Sequence, residues 1–337
     1  MSLLEVEGLC VNHRRGGGEV RVLDGVGFEL AAGESLGLVG ESGSGKSQTA
    51  LAIMGLLPAT AIVQGAIRFG GERIEAASRA RLDQLRGRRM AMVFQDPMSS
   101  LNPYRTVGAQ LLEVLQRHRG LGRAAALAEA ERLLDAVRIG APRRRLGQYP
   151  HELSGGMCQR VMIALALCGE PSLLIADEPT TALDVTVQAE VLAVLDGLRR
   201  DLGLALLLVT HDLGVVAGHC QRVAVMYAGR LVETGPSAAV LARPAHPYTA
   251  ALLAARPSLA GPRLARLPAI PGQPPDPAHR PPGCAFAPRC AVAEPRCSAA
   301  VPPLRPVAAA RQCACPRVPG PGDQQHAPAD DRQRPPL

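Results

Sequence analysis

The sequence predicts an α/β protein with four parts. These are a parallel sheet buried on both faces, a small antiparallel β lobe, an inserted helical region and a loop-rich C-terminal extension. Three observations predict it. Gly-bounded apolar runs of strand length alternate with Ala/Leu/Arg-rich helical patterns up to about residue 256. Those runs are continuously apolar, as strands covered on both faces are. Beyond residue 256 the composition shifts, and 20 of the 30 prolines fall in the last 81 residues.

Taken in order, Leu3–Glu7 and Val20–Leu23 read as strands of the antiparallel lobe. Ser35–Val39 is a five-residue apolar run that leads into GESGSGKS, and QTALAIMGLL after it has a helical pattern. Met90–Phe94, Leu173–Ala176 and Ala205–Thr210 read as buried parallel strands. Residues 108–139 place apolar side chains at helical spacing, interrupted by RGLGR at 119–123, which predicts helices inserted between two core strands. Val223–Tyr227 and Leu231–Glu233 flank an Ala-Gly turn and read as a hairpin.

Composition narrows the classes. Hydrophobic residues make up 47% of 337 and aromatics only 2%, so the core must be aliphatic. The net charge of +7 comes from scattered arginines whose longest run is Arg143–Arg145, and no nucleic-acid-reading module is present, so no nucleic-acid partner is expected. No apolar run reaches the roughly 18 residues a membrane span needs. The start, MSLLEVEGLC, has acids where a signal peptide is basic and then apolar. A cytoplasmic location is expected, in which the nine cysteines do not form disulfides.

The chain contains one lysine, Lys46, among 37 basic residues. It lies in GESGSGKS, which fits the phosphate-loop pattern G-x-x-x-x-G-K-[ST] with a strand before it and a helix after. Gly40, Glu41, Ser42, Gly43, Ser44 and Gly45 can turn backbone N–H groups inward around phosphate oxygens at a helix N-terminus. Lys46 then reaches the β- and γ-phosphates as a point charge, Ser47 can hold Mg²⁺, and Gln48 adjoins them. LLIADEP at 173–179 is an apolar strand ending in two acids, where α/β sheets bind ligands. Asp177 suits Mg²⁺ and Glu178 suits polarising a water. HELSGGMCQR at 151–160 opens a helix, with Ser154 as N-cap and Gly155 and Gly156 open to an anion.

A phosphate loop, LSGG and LLIADEP in this order resemble the nucleotide-binding subunit of an ABC transporter. VFQDP with Gln95, TALD with Asp184, and LLLVTHD with His211 extend the match from residue 3 to about 235. The resemblance implies an ABC-type ATPase fold: a RecA-like parallel core and β lobe over 1–240, with a helical subdomain at about 97–168. It implies an ATP- and Mg²⁺-dependent ATPase that pairs head to tail. Lys46 and Ser47 would act in cis, with Gln95 and Asp177 also toward Mg²⁺, and Ser154, Gly155, Gly156 and Asp184 would face the partner. Glu178 would activate water and His211 would orient the γ-phosphate. His13 stands where an aromatic usually stacks on adenine, and is either a base contact or an exposed loop histidine. Cys158 and Gln221 also depart from the family pattern, away from the catalytic stations.

PMSSLNPYRTVGAQ, HPYTAALLAARP and GCAFAPRCAVAEPRC narrow the resemblance to the ATP-binding subunits of oligopeptide/dipeptide importers, a group that includes nickel transporters. It implies an extension over 241–318 and a polar tail over 319–337, the tail expected to be disordered. It implies two integral-membrane permease chains, a second homologous ATPase subunit, and indirectly a solute-binding protein, with this chain peripheral on the cytoplasmic face of the inner membrane. Cys284, Cys290 and Cys297, with Cys315 or Cys313 as a fourth thiolate, match members of that group thought to carry a [4Fe–4S] cluster; zinc and unligated thiols stay open as alternatives. The contrasting functional reading is a soluble, non-transport ABC ATPase. Such proteins usually hold two ATPase units or a long coiled coil, and this chain shows one unit and no heptads.

Overall fold

A computed structural model describes residues 2–15, 18–181, 183–255 and 269–319; the polar tail therefore lies almost wholly outside the described residues. The chain opens with two long strands, β1 (Ser2–Arg15) and β2 (Gly18–Ala31). The first core strand β3 (Ser35–Val39) and helix α1 (Lys46–Ile53) follow, then β4 (Ala61–Phe69), β5 (Glu72–Arg73) and α2 (Arg79–Leu85). An antiparallel lobe has the order β2-β1-β4-β5. Leu3–Glu7 and Val20–Leu23 are thus segments of longer strands. Their extent is hidden because β1 bulges near Gly8, which shifts the buried set from Leu4 and Val6 to Leu9 and Val11. Gly65 on the facing strand has φ +98°, and a Cβ there would lie 2.5 Å from the Gly8 carbonyl oxygen.

The core continues through β6 (Met90–Val93) into helices α3 (Pro97–Ser100), α4 (Val107–Arg119), α5 (Arg123–Ala136), α6 (Pro142–Leu146) and α7 (Gly155–Leu167). It returns through β7 (Leu173–Asp177), α8 (Val185–Leu202), β8 (Ala205–Thr210), α9 (Leu213–His219), β9 (Arg222–Tyr227) and β10 (Arg230–Pro236). Helix α10 (Ser237–Ala242) leads into the extension, which contributes α11 (Pro247–Ala254), β11 (Arg305–Ala308) and β12 (Arg311–Cys313). The main sheet runs β11-β12-β10-β9-β3-β8-β7-β6, parallel from β9 to β6 and antiparallel beyond. β3, β7 and β8 are buried along their whole length, as their unbroken apolar runs require.

RGLGR does separate two helices. Gly120 ends α4 with φ +66°, and Gly122 precedes α5. Leu111, Leu115, Ala126, Ala130, Leu133 and Leu134 form their shared core. The extension is loop-rich, as its composition suggests, and its β12 pairs with β10 and lengthens the core sheet. RPVA and RQC carry no apolar alternation, so these strands left no periodic signal.

Candidate nucleotide-binding site

β3 delivers the phosphate loop to the C-terminal edge of the sheet, where the parallel strands open toward a ligand. Gly40 is confined: a Cβ would lie 2.2 Å from the Met226 carbonyl oxygen. Lys46 is 5% exposed, and its ammonium donates to the carbonyl oxygens of Gly40 (2.8 Å) and Glu41 (3.1 Å). Burial lowers its pKa, opposed by the carboxylates of Glu178, Asp177 and Glu41. Ser47 Oγ donates to Asp177 Oδ1 at 3.1 Å. Burial raises the Asp177 pKa, the Ser47 hydrogen bond and Lys46 oppose that rise, and Glu178 adds to it. Ser44 Oγ is buried without a hydrogen-bond partner, as a donor awaiting an anion would be.

Glu178 follows β7 with φ 46°, a left-handed conformation uncommon for a side-chain-bearing residue. Its carboxylate is the meeting point of four segments. Oε2 accepts from Gln95 Nε2 (3.2 Å) and Thr181 Oγ1 (2.9 Å) and lies 3.4 Å from His211 Nδ1; Oε1 is 3.9 Å from Lys46 Nζ. A carboxylate so held at the mouth of a phosphate pocket can take a proton from water and be oriented while doing so.

The pocket, about 750 Å³, is lined by Ser42, Gly43, Gly45, Lys46, Ser47, Gln48, Gln95, Glu178, His211 and His13. His13 lies on β1 at the edge of this pocket, and its Nε2 meets Gln48 Oε1 at 2.8 Å. The same pocket has a wall that motif reading missed, made by Val20, Val22 and the extension residues Asp276, Pro277 and Ala278. Arg280 anchors that wall through Asp24 Oδ2 (3.4 Å) and the Val22 carbonyl (3.1 Å). Nothing in a Pro-rich stretch announces such a contact.

Ser154, Gly155, Gly156 and Asp184 do not line this pocket. Ser154 caps α7 and Asp184 caps α8, accepting from Met157 N (3.3 Å) and Val187 N (3.0 Å); both caps are exposed. Gly156 lets the two helix starts meet, since a Cβ there would lie 2.2 Å from Val187 Cγ1. Within one chain Ser154, Gly155 and Asp184 are a second, exposed group, with Gly156 buried beneath it.

All nine cysteines are free. Burial raises the thiol pKa of Cys284 and Cys290, and the nearness of Cys315 and Cys297 raises both further. Cys284 N–H donates to the Cys297 carbonyl at 2.7 Å. Cys313 lies on β12; burial, then Glu233 and Cys315, raise its thiol pKa. Thiols have the donor chemistry that a soft metal prefers. Among the described residues, however, no three His, Cys, Asp or Glu side chains are gathered into a metal-binding group. Cys158, Cys168 and Cys220 are core residues, and burial pushes the last two up to about 12. Gln221 accepts from Ser35 N (2.9 Å) and so serves the β3 edge.

A phosphate loop after β3, two acids at the end of β7, a histidine after β8 and a helical insertion define an ATP-binding cassette. Residues 23–181 match the ABC transporter family, and residues 232–297 match the oligopeptide/dipeptide transporter C-terminal region. Among relatives, the oligopeptide transport ATP-binding protein OppD of Salmonella typhimurium is 52% identical over 274 residues, 81% of this chain and 82% of that protein. OppD of Haemophilus influenzae is 50% identical over 277 residues, 82% and 85% of the two chains. Among solved structures, the dimeric post-hydrolysis state of the cassette MJ0796, bound to ADP and Pi, has a TM-score of 0.63 at 25% identity. It spans 69% of this chain and 98% of that one. CbiO1 of Clostridium perfringens, part of the complex cbiONQ, has a TM-score of 0.61 at 28% identity, over 72% and 91%. The chain belongs to the ATP-binding subunits of oligopeptide/dipeptide ABC importers, and it is an ATPase. Among the described residues no helix is long and apolar enough to cross a membrane.

Proposed function

We propose that this ATPase powers import of di- or oligopeptides across the inner membrane, docked peripherally on the cytoplasmic faces of two permease chains. A second, homologous ATPase subunit completes each nucleotide site, and a solute-binding protein delivers the peptide to the permease. The loop amides and Lys46 hold the β- and γ-phosphates; Ser47, Asp177 and Gln95 would hold Mg²⁺, which supplies charge neutralisation on the phosphates. His13 stacks on the base. Glu178 takes the proton of the attacking water, and His211 orients the γ-phosphate. Ser154, Gly155, Gly156 and Asp184 act on the partner's nucleotide, which accounts for their distance from the pocket of their own chain. Hydrolysis then reopens the pair, a switch worked by γ-phosphate contacts.

The observation that carries this reading is the Glu178 carboxylate, met by Gln95, Thr181, His211 and Lys46 at one point. Gln95 leads directly into the helical region. There a groove of about 830 Å³, lined by residues of α4, α5 and α6, suits a permease segment. Cys284, Cys290, Cys297 and Cys315 would hold a [4Fe–4S] cluster. Cys315 is preferred to Cys313 because it stands near both Cys284 and Cys290. Iron, sulfide and zinc assays on anaerobically purified protein test that part; zinc alone, or no metal, refutes it.

The transport reading is tested by reconstituting the chain with its permease and binding protein in proteoliposomes. ATP-dependent accumulation of labelled peptide is expected, and Glu178→Gln should abolish it while ATP binding survives. ATP turnover that accumulates nickel and no peptide would overturn the substrate class; turnover with no dependence on the permease would favour the non-transport ATPase.

A further inference from the structure

The extension returns across the sequence to grip one residue of the phosphate loop. Glu41 occupies an unspecified position of the motif, yet its backbone and its side chain are both held from outside the cassette. Its N–H donates to Tyr248 Oη at 2.8 Å. Its carboxylate receives both arms of the Arg289 guanidinium, Nη1 to Oε2 at 2.6 Å and Nη2 to Oε1 at 3.0 Å. Such fork-on-carboxylate pairs are strong and directional. The Arg289 side chain is 5% exposed and is itself locked in place. It donates to the Pro271 carbonyl (2.8 Å) and Tyr227 Oη (3.2 Å), and its guanidinium carbon stands 5.8 Å and 6.0 Å from the Tyr227 and Phe286 ring centres.

We propose that Arg289 is a positioning residue for ATP: through Glu41 it neutralises the phosphate loop's one carboxylate and fixes the carbonyls on which Lys46 rests. The proposal rests on the reading that this loop holds the triphosphate. Two physical consequences follow from the pairing. An unpaired carboxylate in a loop that receives a polyanion repels it. Glu41 also lies within electrostatic reach of Lys46, so once freed it competes with phosphate for the chain's only lysine. The pairing removes both effects, and it makes the cassette's affinity for ATP depend on an extension whose sequence carries no nucleotide motif.

The test is the Kd for a fluorescent ATP analogue on the full chain, with thermal melting as a fold control. Arg289→Gln should weaken binding by about tenfold, and Arg289→Lys, which keeps the charge but loses the fork, by about threefold. Glu41→Gln alone supplies the remaining corner of the cycle. The decisive variant is the pair Glu41→Gln with Arg289→Gln. If Arg289 acts by neutralising Glu41, the pair binds more tightly than Arg289→Gln alone, whereas an arginine that only props the fold predicts a pair at least as weak. The KM for ATP should follow Kd while kcat moves little. Arg289→Gln binding like the native chain, or a folded pair as weak as Arg289→Gln, overturns the proposal. Binding that survives Lys46→Ala instead overturns the site assignment, and the proposal with it.

Discussion

Acid should loosen the extension's hold through one buried histidine. His246 is 1% exposed and begins α11, where its Nδ1 accepts from Tyr248 N at 3.1 Å. Its Nε2 is buried without a partner. Burial lowers its pKa from 6.5 to about 4. Protonation puts a second N–H on the ring, at the nitrogen that now accepts, so the cap is lost at the same moment. Glu233, the nearby carboxylate, offers little compensation, because it already accepts from Ala245 N, His246 N and Arg311.

The folded pKa lies below the unfolded one, so the contribution is complete above pH 6.5 and is lost as pH falls through the folded value. The 6.5-to-4 window corresponds to roughly 2 kcal/mol lost by pH 5 and about 3 kcal/mol by pH 4. Ion-paired carboxylates such as Glu129 and Asp24, held below their ordinary range, lose their contribution at lower pH, so the upper part of the window belongs to buried histidines. Urea midpoints at pH 7, 6 and 5 read this out. His246→Asn supplies the control: Asn keeps a capping oxygen without the titration, at a cost of about 1–2 kcal/mol at neutral pH for the volume it vacates. The native chain should lose its advantage over His246→Asn by about pH 5. Parallel loss of stability in both would refute the argument and move the acid sensitivity elsewhere, the half-buried His118, whose pKa burial also lowers, being the next candidate.

Three further outcomes are expected. Lys46→Arg should lower ATP affinity by at least about tenfold, because a planar fork cannot replace an ammonium seated on two loop carbonyls; isothermal titration measures it. Glu178→Gln should reduce kcat by about a hundredfold or more with ATP binding within a few-fold of native, since the change removes a base and leaves the phosphate contacts. Gly40→Ala should lose nucleotide binding, because its Cβ would meet a backbone oxygen at 2.2 Å that cannot step aside; equilibrium dialysis against labelled ATP checks it.

Much of the fold was legible because it rests on local rules. Ser35–Val39 and Ala205–Thr210 are strands over those residues, and RGLGR breaks the helical insertion where its glycines stand. What escaped was set by pairing rather than by period. β1 and β2 bend through bulges that break the alternation, and β4, with its polar and glycine positions, was not distinguished at all. β11 and β12 become strands because β10 offers an edge, not because RPVA or RQC favours one. The two groups of nucleotide residues show the same limit. The phosphate loop and the acids at the end of β7 converge within one chain, whereas Ser154 and Asp184 belong to a different surface, a division that the order of motifs does not express.

The use of lysine and arginine ties the legible site to the illegible clamp. Where this chain needs a planar fork it uses arginine: Arg289 on Glu41, Arg81 on Glu72, Arg311 on Glu233. Where one cationic atom must sit among carbonyl and phosphate oxygens, it keeps its single lysine. The lysine can be read from sequence because its partners lie five and six residues away, in a loop whose spacing is the motif. The arginine cannot, because 248 residues separate it from Glu41. A phosphate loop is therefore recognisable from its own residues, while the electrostatic state in which it meets ATP is set by a residue that only the folded extension brings to it.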